Sequence, residues 1–141
     1  MDPIVLAAGT AVVSAMATSG WQQASKGVAA LWKRSRPDQA DQVSAELEEV
    51  RSEVLEARGQ GDDEAERALA GAWQSRFQRM LRTDPELIGD LERLLDEQLL
   101  PALDRDRRDR IRSIVQNATA DRGSTVYQAG GSITVQGDQR R

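Results

Sequence analysis

Residues 40–57, ADQVSAELEEVRSEVLEA, decide the fold class. Ala40, Val43, Leu47, Val50, Val54 and Ala57 recur at intervals of 3, 4, 3, 4 and 3, with mostly acidic and polar residues between them. That period puts six apolar side chains on one narrow seam of a helix, which needs partners to cover it. Downstream, Gly59-Gln60-Gly61 interrupts the pattern, and Asp63 followed three positions later by Glu66 reads as an N-terminal capping pair. A further stripe runs through Ala65, Leu69, Trp73, Phe77, Met80 and Leu81. At helical spacing its aromatics read as core, not as a ligand pocket. Thr83-Asp84-Pro85-Glu86 is another cap with Pro near the first turn, and Leu87, Ile88, Leu91, Leu94, Leu95 and Leu99 follow before Pro101. Helices joined by two or three residues pack as antiparallel neighbours. The expected fold is all-α: a four-helix-type bundle completed by a hydrophobic N-terminal helix that ends near Pro37, with a short C-terminal tail. The run of alternating charge over residues 104–112 reads as a solvated helix or a linker.

The chain has 141 residues, enough for one compact domain and a tail. It contains no Cys and no His, which removes disulfides, thiol nucleophiles, imidazole bases and the zinc sites built on those ligands. The carboxylate pairs Glu48 with Glu49 and Asp62 with Asp63 are adjacent in sequence, so on a helix they face different directions. No catalytic constellation is legible; the chain reads as a non-enzyme without a cofactor. Its net charge of −4 comes without the basic stripe of a nucleic-acid binder. Charge divides the chain unevenly, with +3 on residues 1–36, −8 on residues 37–112 and +1 on residues 113–141. Residues 1–112 are expected to form the bundle and residues 113–141 the tail.

Residues 3–25 carry no charge at all. As one helix this run of 23 would extend about 34 Å, against a bilayer core of about 30 Å. Its large apolar residues are Ile4, Val5, Leu6, Val12, Val13, Met16 and Trp21; Ala, Gly, Ser, Thr and Gln make up most of the rest, so insertion is marginal. Four readings stand: a secretory signal, whose n-region lacks a Lys or Arg; a constitutive anchor; a buried bundle helix; and a helix packed at rest that inserts when many copies gather. Small residues at intervals of four, Ala7, Ala11, Ala15 and Ser19 beside Thr10, Ser14 and Thr18, permit close backbone approach in lipid or in water. Lys26, Lys33, Arg34 and Arg36 follow directly, suited to an anionic leaflet or to a solvated helix end. Trp21 and Trp32 flank them as interfacial or core rings.

Residues 123–137 change character: uncharged, β-branched and rich in Gln and Gly, they do not read as helix. Gly130-Gly131 suits a two-residue turn between strands 125–129 and 132–136, pairing Val126 with Val135, Tyr127 with Thr134 and Gln128 with Ile133. A lone hairpin is marginal in water. Identical copies stacked in register would form Gln ladders and a dry Val/Ile face, the arrangement of cross-β assembly. A docked edge hairpin and an inert tail are the other readings.

The opening Met1-Asp2-Pro3-Ile4-Val5-Leu6-Ala7-Ala8-Gly9, followed by helical seams, resembles the Bell domain family, bacterial counterparts of the HeLo-like membrane-killing domains. Val126-Tyr127-Gln128-Ala129-Gly130-Gly131, with Ile133 and then Val135-Gln136-Gly137, resembles bacterial amyloid signalling motifs, and its Tyr127-Gln128-Ala129-Gly130 is similar to the core of RHIM-type motifs. The resemblance implies an executor of regulated cell death, cytoplasmic at rest. An NLR-like (STAND) NTPase sensor with a matching motif would template the tail into amyloid, and the N-terminal helix would then act at the inner face of the cell membrane. The alternative is a constitutively membrane-anchored coiled-coil scaffold that recruits a partner protein.

Overall fold

A computed structural model describes the backbone of residues 2–127 and the side chains of residues 2–116. These residues are all-helical, without a strand among those described, and the α-helices are α1 (Pro3–Ala15), α2 (Trp21–Ser35), α3 (Ala40–Gly59), α4 (Asp63–Thr83), α5 (Ile88–Leu94) and α6 (Arg105–Tyr127). Single 3-10 turns occupy Pro37–Gln39, Pro85–Leu87 and Leu100–Ala102, and a π turn occupies Leu95–Leu99. Helix α1 is the hub, packing most extensively on α4, then on α6, and also on α2, α5 and the π turn; α3 lies against α2 and α4.

Six α-helices arise where four were expected, and two sequence features account for the difference. First, the uncharged N-terminal run is two helices, not one. The carbonyl of Ala15 accepts from both the backbone N–H (3.0 Å) and the hydroxyl (2.7 Å) of Thr18. The carbonyl of Met16 accepts from Arg51 Nε at 3.0 Å. With those acceptors taken and Gly20 next, the chain turns before Trp21. A β-carbon on Gly20 would lie 3.0 Å from that of Ala102, so the small residue also allows the close pass. Second, the charged run is a helix and not a linker, with most of its charged side chains exposed and a few contacts anchoring it to the bundle. Asp104 caps α6 by accepting from Arg107 N at 2.9 Å, Arg108 donates to the carbonyls of Leu100 and Leu103, and Ile111 is buried. Helix α6 therefore runs through the position between residues 112 and 113.

The middle helices follow their seams. Ala40, Val43, Leu47, Val54 and Ala57 of α3 are buried and Val50 packs beside them, while Leu55, off the seam, is 47% exposed. The α3–α4 connection is a Schellman turn: Gly61 sits at φ +68°, its N–H donates to the Arg58 carbonyl, and Asp62 N–H donates to the Ala57 carbonyl at 2.8 Å. The cap of α4 is Asp62, not Asp63, since its Oδ1 accepts from Ala65 N at 3.1 Å. Glu66, expected in that cap, instead takes both Nε and Nη2 of Arg58 at 3.0 Å. Asp84 makes no cap bond; its Oδ2 accepts from Ser35 Oγ at 2.7 Å and ties α4 to α2. Trp32, Trp73 and Phe77 form a buried aromatic cluster between α2 and α4, with centroids 5.4–6.2 Å apart. Such pairs add about 0.5–1.5 kcal/mol beyond the area they bury. The π turn precedes Pro101, whose ring cannot continue the helix, and it seats Leu95 and Leu99 in the core with Leu100 beyond it.

Candidate functional site

The residues singled out for membrane insertion form the centre of the protein. Val5, Val12, Val13, Met16 and Trp21 are buried to 1% exposure or less, and Ile4 and Leu6 are half-buried. The small residues around them explain how a helix becomes a hub: Ala7, Ala8, Ala11 and Ala15 are fully buried, so neighbouring backbones come close on several sides. At 13 residues α1 is about 20 Å long, and no helix among the described residues is long and apolar enough to cross a membrane.

Three polar contacts hold α1. Asp2 caps its start, with Oδ1 accepting from Ile4 N at 2.8 Å. Gln74 of α4 grips its middle, donating Nε2 to the Leu6 carbonyl and the Thr10 hydroxyl, each at 3.2 Å. Arg51 of α3 closes its end through the Met16 carbonyl, placing a cation where the helix dipole is negative. Neither Arg51 nor Gln74 stood out in the sequence. A polar residue inside the apolar stretch of α4 is the signal that points to Gln74; Arg51, on an acid-rich exposed-looking face, gives none.

Lys26, Lys33, Arg34 and Arg36, the expected basic surface, are all exposed. Arg34 pairs with Asp90 at 2.8 Å, and Asp90 also faces Arg93 at 3.5 Å. Trp21 and Trp32 are core residues, 1% and 4% exposed. The indole N–H of Trp21 is buried without an acceptor among the described residues, as is Gln98 Oε1 without a donor. A groove of about 760 Å3 flanks α1, α4 and α6, but its rim mixes Asp63, Glu64 and Glu66 with Arg67, Arg107 and Arg110, so no one ligand charge is selected. Among the described residues no His, Cys, Asp or Glu cluster is arranged to hold a metal ion.

Of the tail motif, Val126 and Tyr127 fall in the last turn of α6, where the sequence suggested a strand. Extending a formed helix adds one bond per residue, whereas a lone hairpin strand has no such neighbour. Gln128, Ala129, Gly130, Gly131, Ile133, Val135, Gln136 and Gly137 lie outside the described residues. No protein-family model, curated protein or solved structure matches the chain.

Proposed function

We propose that the chain is an executor of regulated cell death that keeps its membrane effector inside a helical bundle, and delivers it to the inner face of the cell membrane once its tail assembles as amyloid. The observation that carries this reading is the burial of α1, which opens an uncharged 23-residue run, at the centre of the bundle. A permanent anchor would hold Val5, Val12, Val13 and Met16 in lipid; here protein already covers them, which favours a conditional effector over a constitutive scaffold. The resemblance of the N-terminus to Bell domains and of the tail to amyloid signalling motifs supports the same order of events. A sensor NTPase with a matching motif seeds the tail, and assembly gathers many copies, so that weak membrane affinities add up.

Crossing a core of about 30 Å takes more than α1 supplies. Continuing the helix through Ala17, Thr18, Ser19 and Gly20 into α2 restores the uncharged run, roughly 34 Å long. The Trp21 indole N–H then reaches the headgroup region, where water satisfies it.

The test substitutes Ser19, which is exposed in the turn between α1 and α2. Val12 cannot serve, because an unpaired carboxylate at a fully buried position would unfold the bundle. Purified Ser19→Asp and Ser19→Lys chains are seeded with preformed fibrils of residues 115–141 beside anionic liposomes. Wild type should leak dye when seeded and little when unseeded; both variants should form fibrils yet leak far less, since an interior charge costs up to about 2.5–3.5 kcal/mol on insertion. Asp next to the start of α2 stabilises the resting helix and Lys does not, so a loss common to both reports insertion. Undiminished leakage from both would overturn the reading.

A further inference from the structure

A second feature lies where the ends of α2 and α4 meet. Arg36 and Gln39 from the connection after α2, and Arg76, Arg79 and Thr83 from the last turns of α4, line a cleft of about 170 Å3 whose floor is Trp32 and Met80. Three arginines and no acid line the cleft, in a chain whose central region carries −8. Arg76 is held in place: it pairs with Glu46 and its guanidinium lies 5.0 Å from the centroid of the Trp73 ring. No ion pair engages Arg36 or Arg79 among the described residues.

We propose that this cleft binds a phosphate group. Guanidinium forks match phosphate oxygens in pairs, and a fixed Arg flanked by two unpaired ones offers such forks from three directions. The Gln39 amide adds a neutral polar group at the rim, while the Thr83 hydroxyl donates to the Arg79 carbonyl. The volume sets the size of the guest: pockets that enclose a whole drug-sized ligand run to about 300–1,000 Å3, so this one takes a headgroup-sized moiety. The ends of α2 and α4 present carbonyls here, and dipole compensation alone would account for one of the cations. It does not account for Arg36 and Arg79 both lying beside the already paired Arg76. The phosphate comes either from a soluble phosphate compound or from an anionic phospholipid, and the inference stands apart from the membrane reading because the first source involves no bilayer.

The full chain is titrated with inorganic phosphate at constant ionic strength, with thermal unfolding as the readout, and is floated separately with phosphatidylglycerol or phosphatidylcholine vesicles. Three chains are compared: wild type, the double variant Arg36→Gln with Arg79→Gln, and the control Arg105→Gln with Arg112→Gln, which removes the same charge from exposed positions. A structural role for the pair would lower the melting temperature of the unliganded double variant; a binding role leaves it in place. Wild type and control should show a saturable stabilisation by phosphate, or selective flotation with phosphatidylglycerol, that the double variant weakens at least tenfold. Loss in the phosphate arm alone identifies a soluble phosphate compound, and loss in the vesicle arm identifies the lipid. If neither arm separates the double variant from the control, or if wild type responds to phosphate no more than to chloride, the cleft is not a phosphate site.

Discussion

A β-carbon placed on Gly9 of α1 would stand 2.7 Å from the backbone nitrogen of Gln74 and 2.9 Å from its Cα. Those atoms belong to the backbone of α4 and cannot rotate away, so the two helices cross at a separation that only Gly allows. The same crossing brings the Gln74 amide to Leu6 and Thr10. One residue pair therefore sets how closely α1 is held against α4.

Gly9→Ala is expected to destabilise the bundle by about 1–3 kcal/mol, the usual range for overpacking, despite the better helix propensity of Ala. Urea denaturation followed by circular dichroism measures the loss. Under the proposed function the variant also leaks liposome dye without seeds, because its α1 is already loosened.

Replacing Gln74 with Met should keep the volume and remove both bonds to α1. At about 0.5–1.5 kcal/mol per neutral hydrogen bond, the expected cost is roughly 1–3 kcal/mol. A double-mutant cycle with Thr10→Val should show a coupling near one bond's worth. Strict additivity would mean that the Gln74–Thr10 contact contributes nothing.

Two arginines offer a contrast. Arg51→Met takes a charged donor from the partly buried Met16 carbonyl and should cost about 1.5–3 kcal/mol. Arg34→Ala removes an ion pair whose Arg side chain is 59% exposed and should cost under about 1 kcal/mol, less in high salt. Paired denaturation curves at low and high salt check both.

Removing everything after Asn117 should leave a folded, helical protein, since among the described residues the last buried core residue is Ile111, with Ile114 and Val115 packed beside it. Residues 115–141 alone should form β-rich fibrils, and Gln128→Pro should abolish them by removing a ladder donor. Thioflavin fluorescence and fibre diffraction distinguish these outcomes.

The seams of α3 and α4 were legible because their residues are amphipathic with a regular period: α3 buries its seam with Val50 packed beside it, and α4 buries Trp73, Phe77 and Met80, while Ala65, Leu69 and Leu81 are only half-buried and Ala70, off the expected stripe, is buried. The break after α1 was harder to see. Residues 3–25 contain no charge and no Pro after Pro3, so the period is silent, and the turn depends on Thr18 bonding back to Ala15 and on Arg51 arriving from a distant helix. The arginine cleft joins Arg36 to Arg76 and Arg79, forty and more positions apart, which no local pattern can display. The burial of Trp21 and Trp32 follows from the same limit: in sequence an amphipathic ring suits an interface and a core equally well.

Under the proposed function, the extension of α6 through Tyr127 would set a clock on assembly. A backbone amide serves one acceptor at a time, so Val126 and Tyr127 cannot enter a fibril ladder until the last helical turn frays. Helix and fibril are thus rival claimants on the same donors, and the stability of that turn tunes the waiting time before a spontaneous first nucleus, independently of the motif's own affinity. Gly123 lies within this stretch of helix, where Gly costs roughly 1 kcal/mol relative to Ala. Gly123→Ala should therefore reduce the frayed population about fivefold. It should lengthen the lag of unseeded fibril formation by a similar factor and leave the elongation of existing fibrils far less affected.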